Sequence, residues 1–110
     1  MPVDARLAAR LRATIAHRPG FSEKAMFGGV GYMLGGNMAL GVMKDGRVIV
    51  RVAPSDHERF RGEAGCAGME RGGKEMVGWL LVDADAVGDD ADLARWAERG
   101  ASYAASLPPK

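Results

Sequence analysis

Met26-Phe27-Gly28-Gly29-Val30-Gly31-Tyr32-Met33-Leu34-Gly35-Gly36-Asn37-Met38-Ala39-Leu40-Gly41-Val42-Met43-Lys44-Asp45-Gly46-Arg47-Val48-Ile49-Val50-Arg51-Val52 decides the fold of this 110-residue chain. Short apolar runs alternate with glycine punctuation, the pattern of antiparallel strands joined by tight turns. The expected strands are Ala25–Phe27, Val30–Leu34, Met38–Met43 and Val48–Val52. Gly35-Gly36 and Asp45-Gly46 are hairpin signals, because the favoured two-residue turns need φ > 0 at central positions. In the last run Val48, Val50 and Val52 point one way while Arg47, Ile49 and Arg51 point the other. That alternation predicts a sheet with one face on the core and one partly wet.

Working outward, Leu7, Leu11 and Ile15 recur every four residues, so a helix is expected from Asp4 to about His17. Asp4 is placed to cap its start, and Pro19-Gly20 to end it. Downstream, Pro54–Phe60 reads as a short helix, with Ser55 and Glu58 spaced as a capping box. A second hairpin turns at Gly72-Gly73, between strands near Ala67–Arg71 and Glu75–Val82. The run Met76–Val82 is apolar almost throughout, which predicts a strand covered on both faces. A final helix is expected over Asp90–Ser106, capped by Asp89, with Leu93, Trp96, Ala97, Tyr103 and Leu107 along one stripe. Gly100 costs that helix roughly 1 kcal/mol relative to alanine, so the close approach of another backbone is its expected purpose. The fold class is therefore α+β: an antiparallel sheet built from hairpins, with helices at the N-terminus, in the middle and at the C-terminus. With no linker and no repeat, one domain over residues 1–110 is expected.

The bulk numbers narrow the function classes. Hydrophobic residues make up 47% and charged residues 26% of the chain, a globular balance. Its net charge of +1 gives no overall pull toward nucleic acid or anionic membrane. Arginines crowd the N-terminal helix and aspartates the approach to the last one, and the expectation is two separately solvated regions. The single cysteine, Cys66, allows no intrachain disulfide. No stretch has the apolar run of a signal peptide or a membrane span, so the cytoplasm is the expected location.

No constellation for catalysis emerges. Gly28-Gly29-Val30-Gly31 invites a phosphate-loop reading, but a dinucleotide fingerprint begun at Gly29 would put its third glycine on Leu34. Strand ends and a bulge explain these glycines better. Asp56-His57-Glu58 offers acid–base groups on adjacent helical positions that diverge, so a solvated helix start is expected there. Cys66 has neither an evident base nor an orienting group, and two histidines with one cysteine show no metal-ligand spacing. No catalytic, cofactor-binding or metal-binding residue is assigned, no cofactor is implied and no enzyme activity is expected. Arg6, Arg10, Arg12 and Arg18, with Arg47 and Arg51, are the footholds for nucleic acid, and solvated arginines are the favoured reading. Of the seven methionines, six fall in or beside strands, and core filling is expected for at least half of these. An exposed group would suit an adaptable binding surface.

Met26-Phe27-Gly28-Gly29, then Gly31-Tyr32 and Gly36-Asn37-Met38-Ala39, resemble the opening signature of the N-terminal domain of the TfoX (Sxy) family. The resemblance continues through Val48–Val52, the hairpin Met69-Glu70-Arg71-Gly72-Gly73-Lys74 and Leu93-Ala94-Arg95-Trp96. It implies an α+β domain of secretion-chaperone-like topology, often self-associating, linked in longer members to regulation of competence genes. Those members carry a second, helical domain, whereas this sequence resembles a stand-alone branch. The resemblance supplies no catalytic residues. It marks Met26, Phe27, Gly28, Gly29, Arg71, Gly73 and Lys74 as the signature or interaction candidates. The implied role is a non-catalytic regulatory or protein-interaction module, acting as a homodimer or on a protein partner. The alternatives are a small-molecule binder or weak enzyme with a pocket near Gly28-Gly29, and a nucleic-acid-associated regulator.

Overall fold

The computed structural model describes residues 4–26 and 28–110. Helix α1 (Ala5–Ile15) starts where Asp4 accepts the backbone N–H groups of Arg6 and Leu7, and it buries Leu7, Leu11 and Ile15. Four strands follow as a meander: β1 (Phe21–Met26), β2 (Gly29–Leu34), β3 (Asn37–Val42) and β4 (Val48–Arg51). Gly35 and Gly36 both have positive φ, +59° and +84°, as the tight β2–β3 turn requires. Helix α2 (His57–Arg61) separates this meander from a second hairpin of β5 (Cys66–Arg71) and β6 (Lys74–Val82). Helix α3 (Asp90–Ser106) closes the fold, with Asp89 accepting from the Ala91 N–H.

The six strands form one sheet in the order β1-β2-β3-β4-β6-β5, antiparallel at every pairing. The α+β class and the three helix positions agree with the sequence pattern. Strand β1 is longer than expected, beginning at Phe21. The capping box does not form: Pro54–Asp56 make a 3-10 turn without a side-chain cap, and α2 begins only at His57.

One core joins α1, α3 and a single face of the sheet. Val48, Val50 and Val52 of the β4 segment, Leu80 and Val82 of β6, and Trp96 of α3 are all within it. The Tyr32 hydroxyl donates to the Ala8 carbonyl at 2.8 Å, tying β2 to α1. Phe60 of α2 meets the Trp96 ring edge-on, so α2 covers the same face as the other helices. Gly100 has the purpose its sequence position suggests: a Cβ there would lie 2.4 Å from the Ala39 carbonyl oxygen. The basic and acidic regions do meet, against the expectation of separate solvation, through Arg10–Asp90 at 2.9 Å, while Arg18 pairs farther along α3 with Glu98 at 2.6 Å. Both carboxylates are exposed, so each pair contributes little to stability.

Candidate interaction face

Directly paired residues in a sheet project to the same side, so the register assigns the face opposite the helices. One row crosses all six strands: Lys24, Gly31, Gly41, Ile49, Leu81 and Ala67 are successive partners. Beside it lie Met26, Met33 and Met38, with Trp79 opposite Arg51. Ile49 and Leu81 are buried at 3% and 8% exposure, yet neither belongs to the helix-covered core. Met38 and Ile49 meet over Gly41, where a Cβ would lie 3.5 Å from Ile49 Cδ1. The methionines lie down over the glycines: a Cβ at Gly31 would meet Met26 Sδ at 2.8 Å, and one at Gly41 would meet Met38 Cε at 2.7 Å.

This corrects the expectation that at least half of the strand methionines fill the core. Met26, Met33, Met38, Met43, Met69 and Met76 are all half-buried, and the buried core contains none of them. Nor is the Met76–Val82 strand covered on both faces, since Val77 is 59% exposed. The missing information was which side the helices take. Alternation identifies two faces but does not say which one is covered.

The signature residues divide into two groups. Met26, Gly28 and Gly29 sit at the β1–β2 turn, whereas Arg71, Gly73 and Lys74 sit at the β5–β6 turn. These turns occupy diagonally opposite corners of the sheet, so the structure does not bring the groups together. Phe27 lies outside the described residues. Gly29 is where β2 comes closest to β3, a Cβ there falling 1.8 Å from the Val42 carbonyl oxygen. Gly28 has φ +75°, as a strand-end glycine should. Arg71, Gly73 and Lys74 are exposed, and Gly73 serves the tight turn with φ +80°. Surface clefts open beside Arg10 and Asp90, beside Pro19 and Pro109, between Phe60 and Tyr103, and beside Glu63 and Asp92; neither Gly28 nor Gly29 lines any of these.

A second cluster escaped the sequence reading. His57 is buried at 2% exposure rather than solvated. Its Nδ1 accepts the Gly78 backbone N–H at 2.9 Å, which places the ring proton on Nε2, aimed at Glu75 Oε2 at 2.5 Å. Arg61 Nε approaches the same oxygen at 2.8 Å. Gly78 adopts φ +92°, and Gly68 leaves room for Glu75, whose carboxyl fills the place of a Cβ there. The hydrogen bond from His57, with Arg61 beside it, holds the Glu75 carboxyl below its usual range. Glu58 completes a group of three potential ligand atoms within 4.8 Å of one another. A metal at Nε2 would have to displace the proton bound for Glu75, so the geometry is that of a structural pin between α2 and β6. The only local sequence hint was the glycine interrupting an apolar strand.

Cys66 begins β5 rather than standing in a turn. Burial, and then Glu63, push its thiol up to about 11. A thiol so raised is almost wholly protonated at pH 8, and iodoacetamide should label the native protein at least about tenfold more slowly than the unfolded chain. Equal labelling rates would show an accessible thiolate.

Three of the four N-terminal arginines proposed as nucleic-acid footholds are engaged with carboxylates: Arg10 with Asp90, Arg12 with Glu23 and Arg18 with Glu98. No helix among the described residues is long and apolar enough to cross a membrane. No curated protein and no solved structure matches the chain. The TfoX N-terminal domain matches residues 13–104, spanning α3 through Ala104 and every strand, and the chain belongs to that family.

Proposed function

We propose that this domain is a non-catalytic regulatory module that works by protein contact, with the helix-free sheet face as its working surface. The observation that carries the reading is the row across the six strands, lined by Met26, Met33 and Met38 at its β1 to β3 end and covered by no helix among the described residues, while α1, α2 and α3 pack on the other side. Methionine adapts its shape to a partner, and a surface of half-buried methionines suits recognition better than a rigid aliphatic one. The titratable cluster around the buried His57 is turned to structural use between α2 and β6. Self-association belongs to the proposal as well, through the unpaired edges of β1 and β5, which leaves the face free.

Two measurements test it. Sedimentation should give twice 11.6 kDa, and a monomer at high micromolar concentration ends the dimer claim. Affinity capture from native lysate, with nuclease, should retain a protein that Met33→Asp loses. Retention that vanishes with nuclease would move nucleic acid to first place.

A further inference from the structure

We infer that the helix-free face takes an amphipathic helix of a partner protein, whose apolar stripe is flanked by carboxylates. The inference rests on the reading of this face as the working surface and adds the chemistry of what covers it.

The first step is backbone accounting. The four inner strands of the face, β2, β3, β4 and β6, have both neighbours in place, so their N–H and C=O groups are used within the sheet. A chain lying on this face gains no backbone partner from it. It must satisfy its own backbone bonds, which a helix does and an extended peptide does not.

The second step is charge. Within the described strands, the face assigned by register carries Lys24, Arg51 and the Arg71–Lys74 pair and no carboxylate, since the neighbouring Glu70–Glu75 pair turns to the other side, where Glu75 meets His57. None of the ion pairs among the described residues uses any of these four cations. Arg51 stacks instead on aromatic rings, 4.9 Å from the Trp79 centroid on the face and 5.5 Å from that of Tyr103 on α3, so its guanidinium sits at the rim between the two sides of the sheet. A second copy packed face to face would set cations against cations with no acid on either side. A partner bearing acids is favoured by the same charges.

The third step is shape. The row from Lys24 to Ala67 crosses five strand spacings of ~4.8 Å, about 24 Å. That matches a helix of about 16 residues at ~1.5 Å per residue. Its middle is floored by Gly31 and Gly41, now covered by Met26 and Met38 side chains. Methionines can swing aside without backbone movement, which opens a shallow trough for the apolar stripe.

The test uses two synthetic helical peptides of about 16 residues with the same leucine stripe, one flanked by glutamates and the other by lysines. Each is titrated into the whole protein carrying 13C-labelled methionine methyls. The glutamate peptide should shift the Met26, Met33 and Met38 methyls, and it should bind about tenfold tighter than the lysine peptide. Lys24→Glu, an exposed substitution that leaves the core intact, should weaken the glutamate peptide, and Lys24→Glu/Arg51→Glu should reverse the preference. Binding of both peptides alike, or stronger binding of the lysine peptide, would overturn the inference. So would methyl shifts that follow protein concentration alone, which would give the face to a second copy. If neither peptide moves the methyls while Met33→Asp still loses the captured protein, the helix inference fails and the working surface stands.

Discussion

The two faces of this sheet are made from the same strands, yet they are built differently. The helix-covered side is filled by valines, leucines and aromatic rings: Val48, Val50, Leu40, Leu80, Tyr32 and Trp96 are almost completely inaccessible. Side chains with few rotamers fix one arrangement there, and close packing makes each atom count. The helix-free side sets Met26 and Met38 over glycines, beside the buried Ile49 and Leu81, with Trp79 and the cations toward its ends. Glycine leaves space and methionine fills it reversibly. Stability is thus concentrated on one face and adaptability on the other.

The comparison can be broken by substitutions on either side. Trp96→Ala removes the largest fully buried ring and should cost about 3–5 kcal/mol by denaturant unfolding. A loss near 1 kcal/mol would mean that the covered face is much looser than its burial implies. Gly100→Ala should destabilise by about 1–3 kcal/mol, because the added methyl meets the Ala39 carbonyl. Helix propensity alone predicts the opposite sign, a gain of about 1 kcal/mol, so the sign decides between them. His57→Ala strands the Gly78 N–H and should cost about 1–3 kcal/mol.

Glu75 adds a pH dependence of known sign. Its carboxyl is held low, so its contribution is complete above the unfolded-chain pKa of about 4.3 and is lost as pH falls through the lower folded value. Glu75→Gln should therefore flatten the acid limb of the stability curve, and an unchanged limb would remove Glu75 from the account. On the helix-free face, Met26→Ala or Met38→Ala should change stability by about 1 kcal/mol or less. A core-sized loss there would erase the contrast between the faces.

Most of the fold was legible because turns speak locally. Gly35-Gly36 and Gly72-Gly73 name their hairpins through positive φ, and Asp4 and Asp89 name the helix starts through their side chains. What was not legible depended on register. His57 looked solvated because its partners, Glu75 and the Gly78 N–H, lie on β6, 18 and 21 residues away. Ser55 and Glu58 had capping-box spacing, but a 3-10 turn at Pro54 moved the helix start past Ser55. At least half of the strand methionines were expected in the core because hydrophobicity measures affinity for an interior and says nothing about which face receives helices. Arg10 and Arg18 found acids on or beside α3, a meeting set by packing rather than by sequence distance.

The strand order also sets a route for folding. Strands β1 to β4 pair with one another in sequence order, and β5 pairs only with β6, so both units can close through short loops. The β4–β6 seam is the one strand pairing that spans a longer connection, and α3 must return from the chain's end to lie on β3 and β4. Loop-closure entropy is met there before any contact rewards it. The seam, with Leu80 opposite Val50 and His57 pinned beside it, is where the rate-limiting step of folding should lie.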